Sequence, residues 1–185
     1  SARSLAGVRG KITGNPVRAD IEAIEAPEVR LQGREGPFKL LVFGGSLGAQ
    51  VLNETVPKAL SFFDPEKRPT VVHQCGARWV DSVAARYKEL GVKAQVVGFI
   101  DDMASAYRDS DLVICRAGAT SVAKLCAAGA ASILVPLVVG TTSHQLGNAR
   151  YMQKNGAAIM VEQPQFTPEH LFGTLMTLKR EKILD

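Results

Sequence analysis

The chain has 185 residues, of which 46% are hydrophobic and 22% are charged, and its formal net charge is +4 at pH 7. This length and this balance are typical of one globular domain with a full hydrophobic core. The Lys and Arg residues are scattered and form no basic stripe, which favours a solvated surface over nucleic-acid binding. We therefore expect no nucleic-acid partner.

Targeting segments and metal sites are also missing from the sequence. No apolar run reaches the roughly 20 residues that a membrane-spanning helix needs, and the N-terminus lacks the apolar region of a secretory signal. Cys75, Cys115 and Cys126 are odd in number and two of them lie in apolar stretches, so we expect reduced thiols in a cytosolic protein. No Cys or His pair has the spacing of metal ligands, and we predict neither a metal nor a cofactor.

Residues 1–35 differ from the rest of the chain because they are rich in Gly, Pro, Arg and Glu. Pro16 predicts a turn, and only residues 21–24 hint at a helix. We therefore expect 1–35 to be a hinge or linker and 36–185 to form the folded domain. The last helical pattern reaches the end of the sequence without a capping signal, so we expect both ends to be fragment boundaries.

From residue 38 onward, strand patterns and helix patterns alternate. Apolar runs typical of buried strands occupy 38–43, 70–74, 95–99, 111–115, 132–136 and 157–161. Helical periods follow them, near 48–60, 77–90, 102–108, 119–128, 143–155 and 168–182. Repeated strand-then-helix order with continuous apolar strands predicts an α/β fold, a doubly wound, Rossmann-like parallel sheet with helices on both faces.

Two glycine-containing turns follow strand patterns in this sequence. The first is Gly44–Gly48, and the second is Gly118 with the helix that begins at Ala119-Thr120-Ser121. Backbone N–H groups at a helix N-terminus bind anions, and ligands of doubly wound sheets lie at the carboxyl ends of the strands. Each turn by itself fits equally well a tight β–α turn or a good helix start. The first turn is neither a Walker A loop nor a full G-x-G-x-x-G.

Two further segments suit a ligand, although each also has an ordinary structural interpretation. Phe99 in the stretch 99–103 is able to stack on a flat base, but a core Phe followed by an Asp N-cap is the more favoured alternative. Gln145 and Asn148 suit sugar hydroxyls, but an exposed helix start explains them as well. His73 is interpreted as a buried, hydrogen-bonded residue. No catalytic triad and no general base is evident.

Taken together, these stretches resemble the MurG family of bacterial glycosyltransferases. The resemblance rests on the order and spacing of six pieces that span nearly the whole chain: Thr13-Gly14-Asn15-Pro16-Val17-Arg18, residues 33–37, Gly44-Gly45-Ser46-Leu47-Gly48-Ala49, Phe99-Ile100-Asp101-Asp102-Met103, Cys115-Arg116-Ala117-Gly118-Ala119, and His144-Gln145 with Asn148-Ala149. It is a likeness to the C-terminal, donor-binding half of a GT-B fold.

The resemblance implies a function and a set of site residues. The family is an inverting, metal-independent hexosyltransferase that moves GlcNAc from UDP-GlcNAc onto lipid I, giving lipid II for peptidoglycan, at the cytoplasmic face of the inner membrane. The candidate base and the lipid-linked acceptor site belong to the other half, on the same enzyme or on a partner chain. The resemblance implies that the diphosphate lies at Ser46, Ala119, Thr120 and Ser121, the uridine at Phe99, Ile100 and Met103, and the sugar at His144, Gln145 and Asn148. It also implies that Arg18 lies near the donor, at the hinge between the two halves.

The sequence departs from the family pattern at its expected ligand face. Lys124 stands where the family usually has a Glu that accepts ribose hydroxyls, and Thr120-Ser121 replaces Leu-Thr. The loop 137–143 also lacks the usual His and acidic residue. These changes leave two hypotheses open: a donor-binding domain with altered specificity, and an incomplete, split or engineered scaffold that works only with a partner. A nicotinamide dehydrogenase is a weaker third, because no acidic residue follows the second strand.

Overall fold

The computed structural model describes residues 14–138 and 144–179 and shows one six-stranded sheet. All neighbouring strands are parallel, in the order β3-β2-β1-β4-β5-β6. This order is that of a doubly wound nucleotide-binding sheet, so the predicted fold class is confirmed. The strands are β1 Lys39–Phe43, β2 Thr70–Gln74, β3 Gln95–Val97, β4 Leu112–Cys115, β5 Ser132–Leu134 and β6 Ala158–Met160.

Helices connect successive strands and precede the first one. The helices are α1 Ala19–Glu22, α2 Pro27–Arg30, α3 Gln50–Ser61, α4 Val80–Glu89, α5 Met103–Asp109, α6 Ala119–Ala127, α7 His144–Lys154 and α8 Pro168–Thr177, with 3₁₀ turns at Ala77–Trp79 and Gln163–Gln165. Each predicted element of the domain is found, and several are shorter than predicted. The helix predicted from residue 48 begins at Gln50, because Gly48 has a φ of 74°.

The hydrophobic core has two parts, one on each face of the sheet. Leu40 and Val42 of β1 belong to the cluster under α3, α4 and α8. Leu41 and Phe43 belong to the cluster under α1, α5, α6 and α7. Because successive side chains of a strand point to opposite faces, a continuous apolar run in β1 is what a sheet covered on both sides requires.

Residues 14–35, which belong to the predicted linker, pack against the domain. Ile21 has no exposed surface and belongs to the core cluster that contains Leu41. Arg30 donates hydrogen bonds to the carbonyl oxygens of Ala128 and Gly129 at 2.8 and 3.0 Å. The linker role and the division at residue 35 stay predictions, and residues 1–13 lie outside the described part of the chain.

The structure shows the state of the three cysteines and whether any described helix is able to span a membrane. Cys75, Cys115 and Cys126 are all free thiols, the first two buried and the third exposed. Burial raises the pKa of the Cys115 thiol far above its ordinary value, so it is protonated. Within 14–138 and 144–179, every helix is too short or too polar to cross a bilayer.

Candidate functional site

The centre of the sheet is the point where the direction of winding reverses. β1 and β4 are neighbours there, with Phe43 and Cys115 in register at their carboxyl ends. We call Gly44–Gly48, after β1, the first turn, and Arg116–Gly118, after β4, the second turn. The space between them is the candidate crevice, since doubly wound sheets bind ligands where the strand order reverses.

The first turn is closed so tightly that two of its glycines admit no side chain. A Cβ on Gly44 would lie 2.2 Å from the Ala49 nitrogen, and one on Gly48 would lie 2.0 Å from the Cys75 carbonyl oxygen. The structural interpretation of this sequence as a tight β–α turn is therefore correct for both glycines. Ser46, between them, is exposed and has room to contact a ligand.

The two helices that face the crevice begin without a side-chain cap. The N-cap residues are Ala49 for α3 and Gly118 for α6, and neither makes a capping hydrogen bond from its side chain. In contrast, Asp102 caps α5 and Thr167 caps α8. Uncapped first-turn N–H groups and the positive end of the helix dipole are the features that bind an anion at a helix start.

The predicted residues of α6 lie at this uncapped end. Ala119 and Thr120 are exposed, and Ser121 is half-buried. Lys124 follows Ser121 by three residues and Thr120 by four, so the three side chains share one helix face. Lys124 forms no salt bridge within the described residues, and it adds a positive charge to the face that carries Thr120 and Ser121.

A third turn, residues 98–102 after β3, carries the predicted base-binding residues. Phe99 is 67% exposed, which leaves its ring free to stack. Ile100 and Met103 are partly buried and pack against the core, so their side chains have a structural role as well. Two hydrogen bonds from Ser105 lower the pKa of the Asp102 carboxyl group. Asp102 caps α5, as the structural interpretation of this stretch predicted.

Two cavities adjoin the third turn. One, of about 670 Å³, runs along strands β1–β3 and is lined by Phe99 and Ile100. The other, of about 800 Å³, is lined by Arg18, Asp101 and Asp102. The Arg18 guanidinium is held by Asp20, with Nε to Oδ1 at 3.1 Å. The structure thus brings Arg18 to the third turn, while neither cavity is lined by the first or second turn.

The predicted residues of α7 are partly used by the protein itself. Gln145 Oε1 accepts the backbone N–H of Leu137 at 2.9 Å, and Asn148 Nδ2 donates to the Ala117 carbonyl oxygen at 2.9 Å. Among the described residues, Gln145 Nε2 and Asn148 Oδ1 have no such partner, and His144 is exposed. Residues 139–143 of the altered loop lie outside the described residues.

Sequence reasoning missed two side chains that organise this edge of the sheet. Gln74, the last residue of β2, donates to the carbonyl oxygens of Gly45 and Gly98. Arg116 donates to the Val135 carbonyl oxygen at 3.1 Å, and burial lowers the pKa of its guanidinium. The available signal was a polar residue at the carboxyl end of an apolar strand, next to a glycine turn.

Known proteins are similar to this chain in sequence and in architecture. The transferase named UDP-N-acetylglucosamine–N-acetylmuramyl-(pentapeptide) pyrophosphoryl-undecaprenol N-acetylglucosamine transferase is 54% identical in Aromatoleum aromaticum, over 93% of this chain and 48% of that protein. The protein of the same name from Neisseria gonorrhoeae is 52% identical, over 95% and 49%. The chain therefore spans about half the length of the curated relatives it matches.

The solved structures agree with the sequence matches. The crystal structure of Acinetobacter baumannii MurG is 36% identical with a TM-score of 0.81, covering 94% of this chain and 50% of that one. This match confirms the predicted resemblance and the predicted fold, one half of a GT-B glycosyltransferase. The sequence profile described as the glycosyltransferase family 28 C-terminal domain matches residues 39–183. Since that profile covers most of the sequence, the chain belongs to glycosyltransferase family 28 and carries its C-terminal domain.

Proposed function

We propose that this chain is the donor-binding domain of a glycosyltransferase and that it binds UDP-GlcNAc at the candidate crevice. One observation carries the proposal: the two helices that meet at the centre of the sheet both begin uncapped, at Ala49 and Gly118. Their free N–H groups suit the diphosphate of a nucleotide sugar. The names of the relatives give the donor, UDP-N-acetylglucosamine.

The proposal assigns a role to each predicted site residue. Ser46 and the N–H groups of residues 119–121 contact the diphosphate, with Lys124 as a nearby cation. Phe99 stacks on the uracil, and the backbone of the third turn, with Ile100 and Met103 behind it, lines the uridine. The donors and acceptors of Gln145 and Asn148 that the protein leaves unused meet the sugar hydroxyls, beside His144. Arg18 approaches the nucleotide from the third-turn side.

The reaction this site supports is the loss of UDP from the sugar. Negative charge grows on the diphosphate as the glycosidic bond breaks, and the uncapped start of α6 is already oriented to stabilise it. The described residues offer no evident base, so the acceptor hydroxyl and its base come from another domain, on the same enzyme or on a partner chain. This chain alone is expected to bind the donor and to transfer nothing.

The acceptor in this proposal is lipid-linked, since the relatives' name specifies a pyrophosphoryl-undecaprenol acceptor. The complete enzyme would then make lipid II for peptidoglycan as a peripheral protein at the cytoplasmic face of the inner membrane. Synthesis of lipid II by this chain without any partner would contradict the division of labour between the two halves.

The experiment is a calorimetric titration of UDP and UDP-GlcNAc into the chain and into two matched variants. Phe99 and Tyr151 are both 67% exposed, but Phe99 lies on the third turn and Tyr151 lies seven residues beyond His144 on α7. Loss of a stacked base costs about 1–3 kcal/mol, so Phe99→Ala should weaken UDP binding at least about fivefold. Tyr151→Ala should bind as the unaltered chain does.

The same titration separates the rival hypotheses. If neither UDP nor UDP-GlcNAc binds, the chain is a scaffold that acts through a partner, as the altered loop and Lys124 would allow. If NAD displaces UDP-GlcNAc efficiently, a dehydrogenase becomes the better explanation. We do not expect that outcome, because β2 ends at Gln74, where a dinucleotide-binding fold has an acidic residue. The Gln74 side chain instead donates to two main-chain carbonyl oxygens.

A further inference from the structure

Gln74 occupies a central place at the carboxyl edge of the sheet. β2 lies between β1 and β3, and Gln74 is in register with Phe43 on one side and Val97 on the other. The residues after these two partners form the first turn and the third turn. Gln74 is only 5% exposed, so its side chain lies inside the edge and not on its surface.

One nitrogen atom of Gln74 joins both turns. Nε2 donates to the Gly45 carbonyl oxygen at 3.0 Å and to the Gly98 carbonyl oxygen at 2.9 Å. Since both neighbours are acceptors, only the NH₂ end of the amide fits between them, and its two hydrogens serve the two turns. A methionine would fill a similar volume without a donor, and a glutamate would place a carboxylate against two carbonyl oxygens.

The main chain around Gln74 holds the first turn and the end of β3. The Gly44 N–H donates to the Gln74 carbonyl oxygen at 3.3 Å, and the Cys75 N–H donates to the Val97 carbonyl oxygen at 3.0 Å. The tight approach of Gly48 to the Cys75 carbonyl oxygen adds a steric contact. The first turn, the end of β2 and the third turn therefore form one connected block.

The other side of the crevice is connected separately. Arg116 joins the second turn to the end of β5 through Val135, and Asn148 joins it to α7 through Ala117. Within residues 14–138 and 144–179, no hydrogen bond joins the first turn to the second. The carboxyl edge is thus built of two blocks, with the crevice between them.

We infer that Gln74 is a positioning residue that fixes the distance between the diphosphate-binding first turn and the base-binding third turn. This inference rests on the proposed function, which assigns those two ligand groups to the two turns. Pre-organised spacing benefits only a ligand that contacts both turns at once. Gln74 therefore sets the affinity for a complete nucleoside diphosphate and matters little for uridine or pyrophosphate alone.

The test compares three ligands and four proteins. UDP, uridine and pyrophosphate are titrated into the unaltered chain, Gln74→Met, Gln74→Glu and a control. The control is Gln153→Met, in which the side chain on α7 no longer accepts the N–H of Met160 in the edge strand β6. We expect Gln74→Met to bind UDP about tenfold more weakly, since binding must then order the two loosened turns, and the other two ligands less than about twofold more weakly. Gln153→Met should bind all three normally, and Gln74→Glu should lose at least as much UDP affinity as Gln74→Met.

Amide hydrogen exchange of the free protein supplies a readout that needs no ligand. Gln74→Met should speed exchange in peptides covering 44–49 and 98–103 together, and leave peptides covering 116–121 unchanged. Unchanged UDP affinity in Gln74→Met, or an equal loss for all three ligands with a lower melting temperature, would overturn the inference. If the unaltered chain binds none of the ligands, the proposed function fails, and exchange that stays unchanged in either turn then overturns the inference by itself.

Discussion

The two edges of the sheet are built in opposite ways. At the amino edge, Asp111 Oδ1 accepts from Arg34 at 3.1 Å, and Oδ2 accepts the Lys39 N–H at 2.7 Å. Charged side chains also bond the main chain there, as Arg30 does between α6 and β5. At the carboxyl edge the central turns contain glycine, and the two central helices begin uncapped. Backbone donors thus stay free at the edge where the ligand is proposed to bind.

Burial explains why charged groups stabilise the amino edge. The Asp111 side chain has no exposed surface and that of Arg34 has 15%. A buried ion pair repays its desolvation only when further hydrogen bonds satisfy both groups. Arg34 meets this condition, since it also donates to the carbonyl oxygens of Arg108 and Asp109. This pair joins the 14–36 segment to the start of β4, and the carboxyl edge has no counterpart among the described residues.

The largest expected effect comes from adding one methyl group to the carboxyl edge. Gly48→Ala combines a φ of 74° with a Cβ 2.0 Å from a carbonyl oxygen, so we expect a loss of about 5 kcal/mol in the free energy of unfolding. Gly45→Ala, in the same turn with a φ of 83° and open space, should lose only about 1 kcal/mol. Urea denaturation measures both. Equal losses would show that the close packing on Cys75 has little energetic weight.

The second-largest expected effect comes from removing the Asp111 carboxylate at the amino edge. Asp111→Ala leaves Arg34 buried without its carboxylate, and we expect the free energy of unfolding to fall by about 3–4 kcal/mol. The adjacent pair of Arg108 and Asp109 is exposed on both sides, so Asp109→Ala should change it by less than about 1 kcal/mol. Both variants should bind UDP normally once folded. A large loss of affinity in Asp111→Ala would show that the two edges are coupled.

A third effect concerns the support beneath the carboxyl edge and depends on pH. His73 has no exposed surface and bonds Tyr87 and Asn53, which in turn holds the Cys75 carbonyl oxygen. Burial lowers the pKa of His73 from 6.5 to about 4. The unfolded chain therefore takes up a proton at a higher pH than the folded chain does, and stability falls as pH decreases through this window, by about 3 kcal/mol in total.

The check is a variant with no titrating group at this position. His73→Gln should be less stable than the unaltered chain at neutral pH, because its side chain does not reproduce both bonds. Its free energy of unfolding should depend less on pH between about 6.5 and 4. The difference between the two slopes isolates His73 from the carboxylates. Identical slopes would mean that folding does not shift the pKa of His73.

The fold could be predicted because its signals are local. Strands β1 and β4 are apolar runs, each followed by a turn that contains glycine. This pattern indicates both the burial on two faces and the position of the turns. Right-handed crossovers then make the sheet doubly wound. The order β3-β2-β1-β4-β5-β6 itself was not predicted, because more than one strand order satisfies that rule. The buried, hydrogen-bonded state of His73 was also predicted, since an apolar strand leaves few alternatives.

The long-range side-chain contacts could not be predicted. Arg34 and Asp111 are far apart in sequence, and the residues around each of them do not indicate that the two side chains form a pair. Gln74 is one polar residue in a strand until the register places it between two turns. The composition of residues 1–35 suggested a linker, because composition does not show that Ile21 packs against elements that are distant in sequence. The ligand roles of Ser46, Phe99 and the other site residues stay predictions.

The smallest expected effect comes from removing the positive charge of Lys124 at the carboxyl edge. Lys124 shares a helix face with Thr120 and Ser121, so it lies within reach of a diphosphate bound at the start of α6. A partly exposed charge pair is worth about 1 kcal/mol, so Lys124→Met should weaken UDP binding about fivefold at low salt. The loss should shrink at about 0.5 M salt, where the Debye length is only a few ångströms.

Two further variants decide between the roles open to this position. Lys154→Met removes the same charge from the far end of α7, so unchanged affinity there rules out an effect of net charge. Lys124→Glu places a carboxylate on the crevice, and it should bind UDP more weakly than Lys124→Met if the side chain faces phosphate. Tighter binding by Lys124→Glu would instead mean that this position faces ribose hydroxyls, which a carboxylate accepts and an ammonium group does not. The lysine would then lower the affinity of the donor site, and the scaffold hypothesis would gain on the donor-binding one.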